Sequence, residues 1–517
     1  MSLRSSIVLL ASLSVLGVLA GCGGSGNSTG NGTITGTSST NSELNGTYTF
    51  STTGTDSSGD FFAIAGTFAA NGSGGITSGS LDYSDFVAQI LGNFAINGGS
   101  YAVGSDGRGT ATLTAGSLGK IGFDFVLSST SHGLITRFDS GGSGSGTIDL
   151  QSSSTSLDSN SYAFLFSGID GNGSPAAQAG AFTVDGSGNA TGVQDVNDAL
   201  SLAGGQSLTG TITAASGSTP GTATINGPFG AQTFDVFPID QTHAKFIETD
   251  GVVFLTGDIF TQQASLPSGA TVFTMGGLDI NANPLAVGGL LTFNSDGVTI
   301  SGSEDSNDAG TLLSQVSFSG TYTALSGGRS VLAVSGFNPA SQFVIYPSSG
   351  GLLMLEMDAT GITSGTALAQ SATTFSTSGG YAFNLSASNL SAGEVDNIAA
   401  FTASTAFTAS SSITGTIDEN DEGSLHAGEA LTGTVAAASG GRGTMTLQDS
   451  NSGTSNYNYY VASASSVLVI ETDSGQIGTG SFLGQSGVGS SAALVHAAMA
   501  RPKTGFHPAL KKKLNSN

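Results

Sequence analysis

Closely spaced carboxylates and amides recur four times in this chain. They are the residues best suited by type and spacing to do chemistry. The pattern is an Asp, any residue, an Asn or Ser, and a second Asp. It occurs as Asp82, Ser84 and Asp85; Asp195, Asn197 and Asp198; Asp305, Asn307 and Asp308, with Glu304 just before; and Asp418, Asn420 and Asp421. Hard oxygens clustered in a loop suit calcium, which takes about six to eight oxygen ligands. Asp and Asn also build turns by bonding to their own backbone. Calcium binding and plain turn chemistry are therefore both open readings.

The fourth copy goes further. Asp418, Asn420, Glu422, Gly423 and Glu429 resemble the spacing of an EF-hand calcium loop. That resemblance implies a bound calcium ion closed off by Glu429, although the flanking segments read as strands rather than helices. The third copy keeps Gly310 but has Val316 where the closing Glu would stand.

Two further slots repeat. Glu248, Glu356 and Glu471 occupy one, and Arg108, Arg329 and Arg442 the other. Arg329 with Glu356, and Arg442 with Glu471, are candidates for a rim ion pair or a ligand contact. The first copy has Arg137 in the Glu slot, and the second has Pro220-Gly221-Thr222 where the Arg turn would be. His132 and His243 share a slot and read as strand-end residues. No nucleophile constellation stands out, and no Gly-x-Ser-x-Gly elbow is set between strand and helix. Paired carboxylates could serve a glycosidase. The chain has no Trp on which to stack a sugar. The balance leans away from an enzyme.

The elements that position these residues repeat with a period of about 110 residues. Each copy opens on an aromatic strand (Tyr48-Thr49-Phe50, Tyr162-Ala163-Phe164, Val272-Phe273-Thr274, Tyr381-Ala382-Phe383) and closes on a Gln (Gln151, Gln262, Gln370, Gln485). The intervening segments are short, alternate in polarity and are bounded by Gly, Asn-Gly or Asp-Gly, which marks hairpins. About eight hairpin-linked strands per copy leave exposed edges unless the sheet closes. The predicted fold is therefore all-β: four tandem antiparallel up-and-down barrels, with a β-sandwich as the alternative. The proportions look like small calycin-type barrels of the lipocalin and avidin kind, a likeness of architecture alone. The predicted repeats span 43–152, 157–263, 267–371 and 375–486. Short Ser-rich linkers between them string the units along the chain.

The chain carries 36 acidic and 12 basic residues among its 517, and only 9% are charged, while Phe is abundant at 29. That much Phe can bury a core. Arg4, Arg501, Lys503, Lys511, Lys512 and Lys513 lie outside the repeats, so the folded body carries about −30. Such a body repels nucleic acid and anionic membrane surfaces.

Residues 1–21 read as an export signal: Arg4, then an apolar run from Ile7 to Leu19, too short for a comfortable membrane span. Leu19-Ala20-Gly21-Cys22 resembles the lipobox of bacterial lipoproteins. The resemblance implies that Cys22, the only Cys, is lipidated and becomes the new N-terminus. Gly23 after it implies the outer membrane. Residues 22–42 would be the lipidated Cys and a flexible Gly/Ser/Thr/Asn tether, and 487–517 a basic, poorly ordered tail. The expected function is a lipid-anchored envelope or surface protein whose β-domains bind, adhere or build structure. Its partners would be the membrane, through the lipid, and an unidentified surface partner or small ligand. A carrier of a small apolar ligand inside the barrels and a secreted hydrolase are the alternatives.

Overall fold

A computed structural model of the chain describes residues 40–88, 90–157, 159–216, 219–376, 379–404 and 410–488. Cys22, the export signal, nearly all of the tether and the tail from 489 onward lie outside the described residues. The fold is all-β: four closed eight-stranded antiparallel barrels in tandem. In barrel 1 the strands are Asn45–Asp56, Phe61–Asn71, Gly75–Asp85, Ile90–Val103, Arg108–Ala115, Gly119–Ser129, His132–Asp139 and Gly142–Leu150. The first strand pairs with both the second and the eighth, Tyr48 lying opposite Phe68 on one side and Leu150 on the other. Barrels 2, 3 and 4 repeat this order from Ser161 to Thr261, Gly269 to Ala369 and Gly380 to Gly484.

Turn chemistry sets the register. Asp185 accepts the N–H groups of Ser187 and Asn189 at 2.8 and 2.9 Å, folding its hairpin by side-chain bonds to backbone. After the third strand of barrel 4 the two-residue turn Glu422-Gly423 has φ +48° and +92°. Both central residues of such a turn must adopt positive φ, which matches the twist of the flanking strands.

Inward-facing positions fill the barrels with aromatic rings. Barrel 1 packs Phe50 edge-on to Phe123 at 5.4 Å, and barrel 2 clusters Phe164, Phe166, Phe234 and Phe246. Barrel 3 packs Phe273, Phe318 and Phe343, and barrel 4 packs Phe383, Phe401 and Phe482 around Tyr459. Each fully buried Phe contributes roughly 1.5–3 kcal/mol, so each barrel has a core of its own.

Many strands are buried on both faces, which one barrel cannot explain. In the seventh strand of barrel 3, Leu352 and Met354 face that barrel's interior, while Leu353 and Leu355 join an apolar layer with Ala163, Leu165 and Ala177 of barrel 2. Val272, Ala286 and Leu368 of barrel 3 meet Tyr460, Leu468 and Ile470 of barrel 4. Val126 and Leu134 of barrel 1 meet Ala382, Ile398 and Leu483 of barrel 4. Barrel 4 thus returns to barrel 1. The four barrels form a ring, where the short linkers alone suggested only a string.

The closing Gln of each repeat shows that this last seam is built like the others. Gln151 donates to Pro238 O of barrel 2 at 2.8 Å, and Gln262 to Gly327 O of barrel 3 at 2.7 Å. Gln370 donates to Val461 O of barrel 4 at 3.0 Å, and Gln485 to Asp106 O of barrel 1 at 2.7 Å. Beyond Gln485, Val488 is buried in the core of barrel 1.

Candidate functional site

The repeated acidic residues lie at the seams, on the third strand of each barrel. In barrels 2, 3 and 4 a β-bulge skips Asp195, Asp305 and Asp418. A bulge re-aims the side chain it carries. Here it turns each Asp toward the Arg at or just before the start of the fifth strand of the next barrel. Arg329 grips Asp195, Nε to Oδ2 at 2.7 Å and Nη2 to Oδ1 at 2.6 Å. Arg442 grips Asp305 in the same way at 2.6 and 2.7 Å. Arg108 closes the ring, its Nη1 lying 2.9 and 2.8 Å from the two oxygens of Asp418. Tyr346 adds its hydroxyl to Asp195, and Tyr460 donates to Asp305 at 2.6 Å. Burial pushes the Asp305 carboxyl up, but Arg442 and Tyr460 outweigh it and hold Asp305 below the usual carboxylate range.

The Asn two residues on is the second half of the clasp. Asn197 donates to Glu356 O and Gly361 O of barrel 3, both at 3.0 Å. Asn307 donates to Glu471 O, Asp473 O and Gln476 O of barrel 4 at 3.1, 2.8 and 3.1 Å. Asn420 donates to Arg137 O and Gly142 O of barrel 1 at 2.7 and 2.8 Å. Each Asn also accepts the N–H of Leu200, Gly310 or Gly423 in its own hairpin. One amide therefore fixes the turn and fastens the neighbouring barrel.

The second Asp of the pattern stands apart from the clasp. Burial raises Asp198, with Asp170 beside it, and raises Asp308, with Asp279 beside it. Asp421 pairs with Ser424 across the hairpin. The EF-hand-like spacing falls on this hairpin and forms no loop. Glu429 contacts Ser450 on the exposed side, and Asp418 and Asn420 are engaged with barrel 1. Among the described residues no group of three or more His, Cys, Asp or Glu is arranged to hold a metal ion.

The Arg and Glu slots do not pair as their alignment suggested. The Arg faces the preceding barrel, whereas the Glu points into its own. Glu356 accepts the Thr363 N–H at 3.1 Å, the Thr363 hydroxyl at 2.7 Å and the Thr360 hydroxyl at 2.8 Å, and burial pushes it up to about 7. Burial, reinforced by Asp473, raises Glu471 well above its usual range.

His132 and His243 do begin strands, but they also converge on one network between barrels 1 and 2. His132 Nδ1 is 2.6 Å from Asp149, and His243 Nε2 is 2.7 Å from Asp258. Lys245 lies between the two carboxylates, 3.5 Å from Asp149 and 3.2 Å from Asp258. Burial opposes these charges, yet His132 and Lys245 hold Asp149 well below the usual carboxylate range, and the two carboxylates raise Lys245. Residue-by-residue comparison of the repeats missed this network. The available signal was Lys245, a lysine set between Ala244 and Phe246 in the strand His243–Glu248.

Two clefts also lie between barrels. One of about 340 Å³ between barrels 2 and 3 is lined by Leu200, Leu278, Ile280 and Ile362. One of about 220 Å³ between barrels 1 and 4 is lined by Asp106, Phe401 and Gln485. No known protein family and no curated protein matches this chain.

Proposed function

We propose that this chain is a lipid-anchored envelope protein, tied to the outer membrane through Cys22, whose ring of barrels is a non-catalytic binding, adhesion or structural module. The observation that carries this reading is where the charges are spent. Of the six basic residues in the body, Arg108, Arg137, Arg329, Arg442 and Lys245 are engaged in ion pairs, and Lys120 is exposed. The side chains that a catalyst would gather in an open cleft instead fasten barrel to barrel, in the case of Arg108, Arg329, Arg442 and Lys245, or pair inside one barrel, as Arg137 does with Asp139. What remains outside is an acidic surface, suited to a cationic or cation-bridged partner and unsuited to nucleic acid. The aromatic packing of the interiors favours a filled module over a carrier with hollow barrels.

The anchor is tested by feeding cells an alkyne-tagged fatty acid and fractionating them. The wild-type chain is expected to carry the tag and sediment with the outer membrane, and C22S to be untagged and soluble. Equal tagging and sedimentation of C22S would overturn the anchoring.

A further inference from the structure

One seam breaks the rule the other three follow. The register of the fifth strands places Pro220 of barrel 2 in the slot held by Arg108, Arg329 and Arg442. Phe237 stands where Tyr346 and Tyr460 supply a hydroxyl. Asp82 of barrel 1 therefore meets neither guanidinium nor phenol. It is only 1% exposed, and neither of its oxygens has a hydrogen-bond partner. Its electrostatic neighbours are the carboxylate of Asp235, from barrel 2, and the side chain of Asn93. Ser84, in the Asn slot two residues along the same face, is 2% exposed, and its hydroxyl is also unpartnered. Two carboxylates and an amide thus meet at the seam, with the Ser84 hydroxyl two residues along the strand and no Arg in the slot that it fills at the other seams.

We propose that a divalent cation, calcium by its ligand chemistry, occupies the 1–2 seam between Asp82 and Asp235, taking the place of the missing guanidinium. All the groups on offer are hard oxygens, which calcium accepts in irregular numbers, with water completing the shell. Asp235 is half-buried and Asn93 exposed, so the site has a route to solvent. Asp82 comes from barrel 1 and Asp235 from barrel 2, so the ion would join the two barrels as Arg joins the others. Only two carboxylates contribute, so affinity should be modest, on the order of 0.1–1 mM, as in extracellular calcium modules.

Isothermal titration of calcium chloride into the metal-stripped full chain tests this, with melting temperature as a second readout. The expected result is one calcium per chain and a rise of a few degrees at about 10 mM calcium. Both effects should be lost in D82N and D235N. P220R, which restores a cation to the slot, should also lose them, and it decides the matter if the Asp variants fail to fold. Wild-type chain giving no heat and no shift would mean that the carboxylates merely share a proton, and would overturn the proposal. Calcium binding that persists in D82N or P220R would overturn it too.

Discussion

Replacing Arg442 with Ala removes the cation from the seam between barrels 3 and 4, and the structure sets the scale of the loss. Asp305 is 1% exposed, and two of its bonds come from Arg442 at 2.6 and 2.7 Å. Breaking a buried pair by removing one partner costs about 3–5 kcal/mol, because a charge is left buried alone. Tyr460 and the Gln315 N–H, at 2.6 and 2.9 Å, still hold the carboxylate. That puts R442A near the lower end, about 3 kcal/mol. The pH dependence is the sharper test. In the wild type Asp305 is held below its unfolded value, so its contribution is present above that value and lost as pH falls through the folded one. Without Arg442, burial dominates and Asp305 takes up a proton more readily. A protonated carboxyl needs no cation, so the deficit of R442A should shrink toward about 1 kcal/mol near pH 4. Urea unfolding of wild type, R442A and R442A/D305N at pH 7 and pH 4 reads this directly. The double variant should recover part of the loss at pH 7. An R442A as stable as K120A at pH 7, or a deficit that widens in acid, would refute the clasp.

Other outcomes follow from the same contacts. N420A removes two bonds to barrel 1, at 2.7 and 2.8 Å, and should cost about 1–3 kcal/mol. Hydrogen exchange should speed up at Arg137–Gly142 with little change inside barrel 2. Burial pushes Glu304 up to about 8 and Glu356 up to about 7 in barrel 3. For raised groups, stability is full below the unfolded value of 4.5 and falls as pH rises through about 7–8. The melting temperature should therefore decline from pH 5 to pH 9, and E304Q/E356Q should flatten that decline; an unchanged slope would rule out these two residues as its source.

The barrels were legible in the sequence because each signal acts locally. Hairpin turns, alternating Phe and Tyr, and a repeat that opens and closes on the same residues all lie within one copy. The ring was not legible from the same signals. Leu352–Leu355 and Val467–Ile470 are apolar on both faces, and periodicity reports that burial without naming the neighbour. The Asp and Asn pattern was visible as a repeat, but its partners lie in another copy. Asp195 and Arg329 are 134 residues apart, and Asp305 and Arg442 are 137 apart. That near-constant offset was the usable clue, because it joins each Asp to the Arg slot of the next copy. It also matches the bare Asp82 to Pro220. The lipobox reading concerns residues outside those the structure describes.

Ring closure rests on barrel 4 meeting barrel 1, and a disulfide probes that contact most directly. Ser143 Oγ lies 2.6 Å from Asp396 Oδ2 across this seam. In a C22S background, S143C and D396C should link spontaneously under mild oxidation. Non-reducing mass spectrometry should then find one peptide joining strand Gly142–Leu150 to strand Glu394–Ala403. Two freely alkylated thiols in the folded protein would mean that barrels 1 and 4 stand apart and the ring is open.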